Sequence, residues 1–392
     1  MANNNNTKNL NVPNLRFPEF KGEWKLNILD SVCTFHNGRA YKQHELLSAG
    51  KYRVLRVGNF FTNDSWYYSD LELEEDKTAS DGELLYAWSA SFGPRFWKGE
   101  KVIYHYHIWK IDSFQEVCKE FLFYFLEKDA ASIKNEVQGG TMAHITKADM
   151  ERRNITYPTI CEQSKIARLL FLLDHRIATQ NKIIEKYESL IKGINEKLLI
   201  NKKEYTTYRL SDICEIRSGY SGTQLTGTQG LMVSRIETIS KHCINLDKVG
   251  YVKPFDSSAD FKLHIGDILF SNINSVQYIG NTAFVDREYD LYHGMNLLRL
   301  IPRKIVEPFY VFLLLNTAKY KIHFQSICNK AISQASINQT ELGKTVIHIP
   351  DLLYQKQICQ LYNSLYNKKN IENLYLQALK QQKNHLLRQM VI

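Results

Sequence analysis

The second half of this chain repeats the first, and this repeat constrains the fold more than any other feature of the sequence. The matched pairs, in chain order, are 29–33 with 210–214, Gly38 with Gly219, Arg56 with Arg235, 82–86 with 266–270, 108–111 with 297–300, Pro158 with Pro350 and Gln163 with Gln355. The offset is 214 − 33 = 181 at the start and settles at 350 − 158 = 192 from residue 144 to the end. Matches that follow one order, with a constant late offset, indicate two structurally equivalent halves.

Each repeat begins with a mixed segment, residues 15–160 in the first half and 204–352 in the second. Short runs typical of β-strands, such as 52–57 and 101–104, alternate with turns that contain glycine. A more helical stretch follows at 114–133 and at 308–328. Each mixed segment is predicted to form an α+β domain of about 140 residues, which is long enough to bury its own core.

Each repeat ends with a long helical segment, residues 161–203 and 353–392. Residues 162–200 contain no proline and only one glycine, and residues 354–392 contain neither. Apolar residues recur at three- and four-residue steps in both segments, which is the pattern of an amphipathic helix. The stripe consists of Ile166, Leu169, Leu173, Ile177, Ile184, Tyr187, Ile191, Ile194 and Leu198 in the first segment and of Ile358, Leu361, Leu365, Ile371, Leu374, Leu386 and Met390 in the second.

A helix of this length, about 58 Å at 1.5 Å per residue, is longer than a domain of 140 residues is wide. Two such stripes in one chain can cover each other as an antiparallel coiled coil. The alternative is that each helix packs on its own domain. The predicted fold class is therefore α+β, with two α+β domains separated by two long helices that pair as an antiparallel coiled coil.

The charge of the chain favours a polyanionic partner without proving one. Lys and Arg number 50 against 41 Asp and Glu, a net charge of +9 with a pI near 9.0. The seven cysteines are an odd number and include no Cys-x-x-Cys pair, so neither a disulfide framework nor a zinc knuckle is predicted. A reducing, cytoplasmic location is expected, with no membrane association, and residues 1–14 are predicted to be a disordered tail.

Motifs of catalysis are missing from the sequence. It contains no Gly-x-x-x-x-Gly-Lys-Ser/Thr loop, no Gly-x-Gly-x-x-Gly after a strand and no Asn-Pro-Pro-aromatic or Asp-Pro-Pro-Tyr segment of an amino-methyltransferase. The Glu-x-Lys form at Glu19 lacks the preceding Pro-Asp strand of a nuclease. His105 and His107 could share one face of a strand, but a third metal ligand is not evident nearby. The sequence therefore predicts binding and neither catalysis nor metal ligation.

The opening of the chain resembles a known family. Residues 13–20 (PNLRFPEF) and 22–24 (GEW) look like the usual start of a type I restriction-modification specificity subunit. The order of domain, helix, domain, helix is similar to that family's as well, so the resemblance covers nearly the whole chain. One departure is local: Trp24 is answered in the second repeat by Tyr205, which puts only the packing at that position in doubt.

The resemblance implies a sequence-specific DNA-binding subunit that is not itself an enzyme. Residues 15–160 and 204–352 would be target-recognition domains 1 and 2, each reading one half of a bipartite double-stranded DNA site. Segments 161–203 and 353–392 would be spacer helices that dock two methyltransferase (modification) subunits. A motor-nuclease (restriction) subunit would be an optional further partner. S-adenosylmethionine, ATP and Mg would be bound by those partners, and this chain would bind no cofactor.

Loops at matched positions are the predicted DNA contacts, because equivalent sites should do equivalent work. Asn and Gln can read adenine by paired hydrogen bonds, and Arg can read guanine. The alternatives are turn formation for the Ser and Asn residues and an internal salt bridge for the two matched arginines. The candidates are Arg56, Ser89, Ser91, Arg95, Gly140, Thr141 and His144 in the first repeat and Arg235, Asn272, Asn274, Gln277, Tyr278, Ser333, Gln334 and Ser336 in the second.

Two other functions are compatible with parts of this pattern. A scaffold or adaptor could assemble proteins through its long helices without touching DNA. A stand-alone nuclease with an unrecognised site is a third, weaker hypothesis. Salt-dependent DNA binding separates a DNA reader from a scaffold, because phosphate contacts weaken steeply as salt rises.

Overall fold

The computed structural model describes residues 11–61, 63–89, 91–136, 145–200, 205–240, 242–330 and 334–392. The chain divides into two compact units. Unit 1 comprises residues 1–181 and 374–392, and unit 2 comprises residues 182–373. Each unit therefore combines one α+β domain with the first part of one long helix and the last part of the other, so the sequence repeat and the compact unit divide the chain differently.

The helices of the described residues fall into short connecting segments and two long ones. They are α1 (Val57–Phe61), α2 (Lys119–Glu136), α3 (Lys147–Glu151), α4 (Ile160–Ile200), α5 (Leu210–Ile213), α6 (Ser258–Phe261), α7 (Pro308–Leu315), α8 (Ala318–Ile327), α9 (Gln339–Gly343) and α10 (Leu352–Met390). Single 3-10 turns occur at Leu29–Ser31, Gln43–Glu45, Glu75–Lys77, Ile236–Thr238 and Leu246–Lys248. No helix built from the described residues has both the length and the apolar character that a membrane span requires.

The described residues of unit 1 form two four-stranded sheets and one two-stranded sheet. Its strands are β1 (Lys25–Ile28), β2 (Thr34–Asn37), β3 (Tyr52–Leu55), β4 (Tyr67–Ser69), β5 (Thr78–Ala79), β6 (Leu84–Ser89), β7 (Ser91–Phe96), β8 (Val102–Tyr104), β9 (Ile108–Asp112) and β10 (Asn154–Tyr157). The sheet orders are β1-β10, β2-β9-β6-β7 and β4-β3-β8-β5. Neighbouring strands are antiparallel except for the parallel pair β3 and β8.

Unit 2 repeats the sheet β2-β9-β6-β7 of unit 1. Its strands are β11 (Thr206–Arg209), β12 (Cys214–Ser218), β13 (Leu231–Val233), β14 (Ile239–Ser240), β15 (Cys243–Ile244), β16 (Gly250–Val252), β17 (Ile268–Phe270), β18 (Ile273–Asn274), β19 (Thr282–Phe284), β20 (Leu298–Pro302), β21 (Asn329–Lys330), β22 (Ala335–Ser336) and β23 (Val346–Ile349). The sheets are β11-β23, β12-β20-β17-β19, β13-β16, β14-β15 and β18-β22-β21. The order β12-β20-β17-β19 is the counterpart of β2-β9-β6-β7.

The sheets β2-β9-β6-β7 and β12-β20-β17-β19 have the same register residue for residue. Leu84 pairs with Ile111 across β6 and β9, and Ile268 pairs with Leu300 across β17 and β20. These partners are the ones that the sequence repeat matches. Because a slip of one residue would turn every side chain to the opposite face, a shared register means that the same positions of both units face the core.

The two long helices are antiparallel, as predicted. In unit 1 Lys383 of α10 lies 2.7 Å from the carboxylate of Asp174 in α4. In unit 2 Lys369 of α10 lies 2.8 Å from Glu188 in α4. The partner in α10 moves toward lower numbers as the partner in α4 moves toward higher ones, which is the antiparallel direction.

The core of each unit takes residues from both long helices. In unit 1 the apolar core includes Ile166 and Leu170 from the start of α4 and Leu387 and Met390 from the end of α10. In unit 2 the corresponding contributions are Ile358 and Tyr362 from the start of α10 and Ile191 and Leu199 from the end of α4. Each helix thus begins on its own domain, as the alternative prediction had it, and also pairs with the other helix.

A buried glutamine fixes the start of each long helix. Gln163 accepts from the backbone N–H of Cys118 and donates to the carbonyls of Glu116 and Pro158, all at 2.8 Å. Gln355 accepts from the backbone N–H of Glu307 at 3.0 Å and donates to the Pro350 carbonyl at 2.8 Å. These two side chains, matched in the sequence repeat, join each long helix to the segment that precedes α2 or α7.

The opening segment is part of the unit 1 core. Arg16 makes a bidentate ion pair with the buried carboxylate of Glu162, with both N···O distances at 2.7 Å. The backbone N–H of Leu15 donates to the carbonyl of Gln389, and that of Trp24 donates to the carbonyl of Asn11. The family-like opening therefore connects the domain to the start of α4 and the end of α10, while residues 1–10 lie outside the described residues.

Candidate nucleic-acid interface

Arg56 follows β3 directly and lies beside an aromatic ring. Its guanidinium carbon is 4.3 Å from the centroid of the Tyr67 ring, and Nη2 donates to the carbonyl of Ser65 at 3.3 Å. A guanidinium over a ring face is a cation–π contact, which holds the side chain while its charge is retained. This arrangement differs from the internal salt bridge that was the alternative for this residue.

Arg235 follows β13 at the matched position of unit 2, and its side chain is more open. The side chain is 47% exposed, and Nε lies 3.8 Å from the carboxylate of Glu237, whose side chain is 60% exposed. A pair this open contributes little to stability. Arg235 is therefore available to a phosphate or a base edge.

The hairpin of β6 and β7 places the other candidates of unit 1. Ser89 pairs with Ser91 at the end of this hairpin, and the Ser89 side chain is buried. Arg95, further along β7, is exposed, and its guanidinium lies 5.3 Å from the Phe61 ring. The candidates Gly140, Thr141 and His144 lie outside the described residues.

In unit 2 the two predicted loops come together. Ile273 and Asn274 in β18 pair with Ser336 and Ala335 in β22, which also pairs with β21. Both segments were predicted as DNA contacts, and although they are about 60 residues apart along the chain the sheet brings them together. Ser333 lies outside the described residues.

The side chains of this small sheet divide into structural and exposed groups. Asn272 donates to the carbonyl of Ile337 at 3.2 Å, and Asn274 donates to Oγ of Ser271 at 3.2 Å while accepting from a backbone N–H. Asn274 therefore shows the local turn chemistry that was its alternative, whereas Asn272 is bonded to a segment 65 residues further along the chain. Gln277, Tyr278 and Gln334 are exposed, with Tyr278 at 51%. Their contact with DNA stays a prediction.

Lys321, which sequence reasoning missed, holds the exposed turn of residues 275–280. Its ammonium donates to the carbonyl of Gly280 at 2.6 Å and to Oδ1 of Asn281 at 2.8 Å. Burial lowers the pKa of Lys321 to about 8, because the charged form has lost most of its water. A half-buried ammonium bound to the end of this turn fixes the backbone from which Gln277 and Tyr278 project.

An ion pair at the same place in each unit supports the central sheet. In unit 2 Arg299 of β20 lies 2.7 Å from Asp267, and both side chains are 4% exposed. In unit 1 Lys110 of β9 lies 2.7 Å from Glu83, whose side chain is 33% exposed. All four residues lie in the matched segments, but the sequence alone did not show that the basic residue and the acidic residue of each pair are in contact.

The turn between β8 and β9 in unit 1 is a cluster of rings that was not predicted as a DNA contact. The rings of His105 and His107 are 4.9 Å apart, and Trp88 at the end of β6 lies 5.1 Å from His107. Burial, with smaller contributions from His107 and Arg56, lowers the pKa of His105 to about 4. His105 is therefore neutral near pH 7. Within the residues the structure describes, no group of three His, Cys, Asp or Glu side chains is placed to hold a metal ion.

Comparison with known proteins places both halves of the chain in one family. The type I restriction modification DNA specificity domain matches residues 21–189 and again residues 202–381. Each match spans one domain and most of the long helix that follows it. The internal repeat is therefore a duplication of this family's unit within one chain.

Individual relatives bear names of the same kind. One relative is a Methanocaldococcus jannaschii protein named as a type I restriction enzyme MjaX specificity subunit. It is 38% identical to this chain over 193 residues, which are 48% of this chain. The chain spans about half the length of that relative (45%). The type I restriction enzyme MjaVIII specificity subunit of the same organism is 23% identical over 335 residues, 79% of this chain and 78% of the relative.

The fold is also found in a solved structure. The crystal structure of the type I restriction-modification system S subunit from M. genitalium aligns with 97% of this chain and 99% of its own, with a TM-score of 0.59 and 15% identity. At that identity the likeness concerns the fold alone. The family model matches both domains and most of each long helix, and the solved structure shares the architecture over the whole length. This chain therefore belongs to the family of type I restriction-modification DNA specificity subunits.

Proposed function

We propose that this chain reads a bipartite DNA site for a type I restriction-modification complex, with one half-site for each unit. The observation that carries the proposal is the duplication: the family's DNA specificity domain occurs twice, and both copies have the same sheet order and register. Two equivalent scaffolds with different loops are suited to reading two different short sequences. The chain's own role is recognition, and methylation of adenine and DNA cleavage belong to partner subunits, which bind S-adenosylmethionine, ATP and Mg.

Phosphate contacts would supply most of the affinity and base contacts the sequence choice. The net charge of +9 supports the first of these roles. The exposed Arg235, Gln277, Tyr278 and Gln334 of unit 2 and the exposed Arg95 of unit 1 support the second. Affinity that falls steeply with salt is expected of a DNA reader, whereas a scaffold without DNA contacts has no such affinity to lose.

Methylation mapping tests the proposal directly. The full chain is produced with its methyltransferase partner, and methylated adenines are mapped in cells with and without the gene. A split motif that disappears with the gene is the expected result. If the complex is assembled and methylates without any preferred split motif, the proposal is wrong.

A domain exchange tests whether the two units read independently. Replacing residues 15–160 by the same region of a relative should change one half-site and leave the other unchanged. The matched control replaces residues 204–352 instead, and it should change only the other half-site. If either exchange alters both half-sites, the domains do not read independently.

We propose further that the long helices set the distance between half-sites. Deleting seven residues from each of α4 and α10 at facing positions shortens the pair by about 10 Å, or roughly three base pairs. The expected result is a shorter gap between unchanged half-sites. A deletion in α4 alone is the control, since it breaks the pairing with α10. An unchanged gap after the paired deletion would contradict the spacer role.

The helices also carry apolar side chains that face solvent, which supports docking of methyltransferase subunits. Phe171 of α4 is 53% exposed, and Ile371 and Leu374 of α10 are 63% and 65% exposed. Neighbouring exposed apolar groups on a helix are typical of a protein interface. Ile371→Ser with Leu374→Ser should reduce co-purification of the methyltransferase, while DNA binding by the isolated chain is unchanged. Equal loss of both would contradict this role.

A further inference from the structure

The turns at residues 105–107 and 294–296 occupy the same place in the two units. Arg39 forms a parallel bridge with His105, and Tyr220 forms a parallel bridge with Gly294. In each unit the bridge is followed by a two-residue turn and then by the central strand, β9 or β20. The turn residues Tyr106 and His107 of unit 1 therefore correspond to Met295 and Asn296 of unit 2.

The matched glycines Gly38 and Gly219 explain how these turns are positioned. A Cβ at Gly38 would lie 2.3 Å from the carbonyl oxygen of His105, and one at Gly219 would lie 1.9 Å from that of Gly294. No side chain fits at such a distance, so each turn rests directly on the backbone of its glycine. The repeat of this glycine in the sequence is a consequence of the close approach.

Hydrogen bonds hold the turn of unit 1 from several sides. The N–H of Tyr106 donates to the carbonyl of Arg39 at 3.1 Å, and the N–H of His105 donates to Leu55 at 2.9 Å. The indole N–H of Trp88 donates to the carbonyl of Tyr106 at 2.9 Å. With its backbone held, the Tyr106 side chain is still 39% exposed. A fixed backbone with an exposed side chain is the arrangement that a recognition residue requires.

The turn of unit 2 is held by different contacts. The N–H of Gly294 donates to Oγ of Ser234 at 3.0 Å. The buried ring of His293 lies 2.9 Å from the carbonyl of Leu297. Asn296 has a φ of +65°, a left-handed conformation that asparagine tolerates better than most residues, and its side chain is exposed. The turn is therefore fixed on both sides of its tip.

Each turn lies next to the matched arginine of its unit. In unit 2 Arg235, Met295 and Asn296 line one shallow depression. In unit 1 Arg56 is close enough to His105 to affect its ionisation, and His105 hydrogen-bonds to the residue that precedes Arg56. The arginine is the same in both units, whereas the two turn residues differ completely. A constant cation beside a variable pair is what recognition of a constant phosphate beside a variable base would require.

On the basis of the proposed function, we propose that these turns are specificity-determining DNA contacts: Tyr106 and His107 read base pairs of one half-site, and Met295 and Asn296 read base pairs of the other. Asparagine can bond adenine through paired hydrogen bonds in the major groove. The rings of Tyr106 and His107 present an apolar surface to a thymine methyl group and polar atoms to base edges. The different chemistry of the two turns would give the two half-sites different sequences.

The test uses two double variants of the full chain in complex with its methyltransferase partner. One is Tyr106→Ala with His107→Ala, and the other is Met295→Ala with Asn296→Gly, since glycine accepts the positive φ without strain. Methylation of a randomised DNA library gives the preference at every position. Each double variant should lose about 5- to 100-fold discrimination at one or two base pairs of one half-site, with the other half-site unchanged.

Matched controls are the exposed acidic residues Glu100 and Asp256, one in each unit. Glu100→Ala and Asp256→Ala should leave both half-sites unchanged. A circular dichroism melt shows whether each variant is folded. If both folded double variants keep the wild-type preference at every position, the turns do not read bases. That outcome differs from failure of the proposed function, in which the wild-type complex itself shows no split site.

Discussion

The two units have the same framework and different surfaces. Sheet order, register, the buried glutamine and the ion pair of the central sheet are common to both. The rims differ: unit 1 presents a cluster of rings around Tyr106, whereas unit 2 presents a small sheet, β18-β22-β21, with an exposed turn held by Lys321. A duplicated scaffold can keep the interactions that hold it together while its loops diverge, because a loop on a fixed frame changes binding with little effect on the core.

The shared elements are not equally buried, which makes the comparison testable. The ion pair of unit 2 is almost fully buried, while Glu83 of unit 1 is one-third exposed. All five tryptophans, Trp24, Trp66, Trp88, Trp97 and Trp109, belong to unit 1. Tryptophan fluorescence therefore follows unit 1, while far-UV circular dichroism follows both units.

The largest expected effect is that of Asp267→Asn. This change leaves the guanidinium of Arg299 buried without its counter-charge, which should cost about 3–5 kcal/mol in free energy of unfolding. Glu83→Gln should cost about 1 kcal/mol, because Lys110 keeps hydrogen bonds to the carbonyls of Glu75 and Thr78. Urea denaturation followed by circular dichroism measures both. Equal losses in the two variants would show that the difference in burial has no energetic consequence.

The next effect concerns acid. His293 is 1% exposed, and burial lowers its pKa to about 4. Below about pH 6.5 the unfolded chain gains a proton at this ring that the folded chain does not, so stability falls as the pH drops from 6.5 toward 4. The loss over that window is on the order of 3 kcal/mol.

His293→Gln tests this effect, since glutamine can still donate to the carbonyl of Leu297. The free energy of unfolding of the variant, measured from pH 7 to pH 4, should fall less steeply than that of the wild type. His105→Gln in unit 1 should act in the same direction, because burial lowers the pKa of His105 to about 4 as well. Parallel pH profiles of the variants and the wild type would contradict both assignments.

The sequence predicted the elements that have a long period or a strict order. The spacer segments 161–203 and 353–392 correspond to helices Ile160–Ile200 and Leu352–Met390, because apolar residues recur along the whole stripe and proline precedes each start. The matched segments 82–86 and 266–270 lead into β6 and β17, which take equivalent places in two sheets of the same order. Local periodicity carries enough information for the helices, and the internal repeat for the equivalence of these two strands.

The sequence could not predict which parts of the long helices join which unit. Met390 packs in the core of unit 1, far along the chain from the domain that it joins, and Leu199, at the end of the helix that follows the first domain, packs in the core of unit 2. An apolar stripe shows that a face is covered and not what covers it. The turn at Tyr106 was missed for a different reason: it is two residues long and has no periodicity. Its only trace in the sequence is the matched pair Gly38 and Gly219. The sequence shows these glycines but not the close backbone contact that requires them.

A third comparison uses the buried glutamines, which have similar surroundings in both units. Gln163→Leu and Gln355→Leu each leave a backbone N–H and at least one carbonyl without a partner, so each should cost roughly 1–3 kcal/mol. Because the contacts are alike, the two losses should agree to within about 1 kcal/mol. Gln163→Glu and Gln355→Glu keep the acceptor oxygen but turn a second oxygen toward the same carbonyls, so they should be at least as costly as the Leu variants. A loss confined to one variant would show that the shared geometry does not imply shared energetics.

The smallest expected effect distinguishes how the two units hold the long helices. Lys369→Ala removes one ion pair with Glu188, whose side chain is 55% exposed, and should cost less than about 1 kcal/mol. Lys383→Ala removes a buried ammonium that lies within 2.8 Å of both Glu127 and Asp174, and it should cost more. Thermal melts at low and high salt measure both, and salt should weaken the exposed pair more than the enclosed one. If Lys369→Ala proves as costly as Lys383→Ala, the end of α10 in unit 1 is held by its apolar side chains and not by this charge cluster.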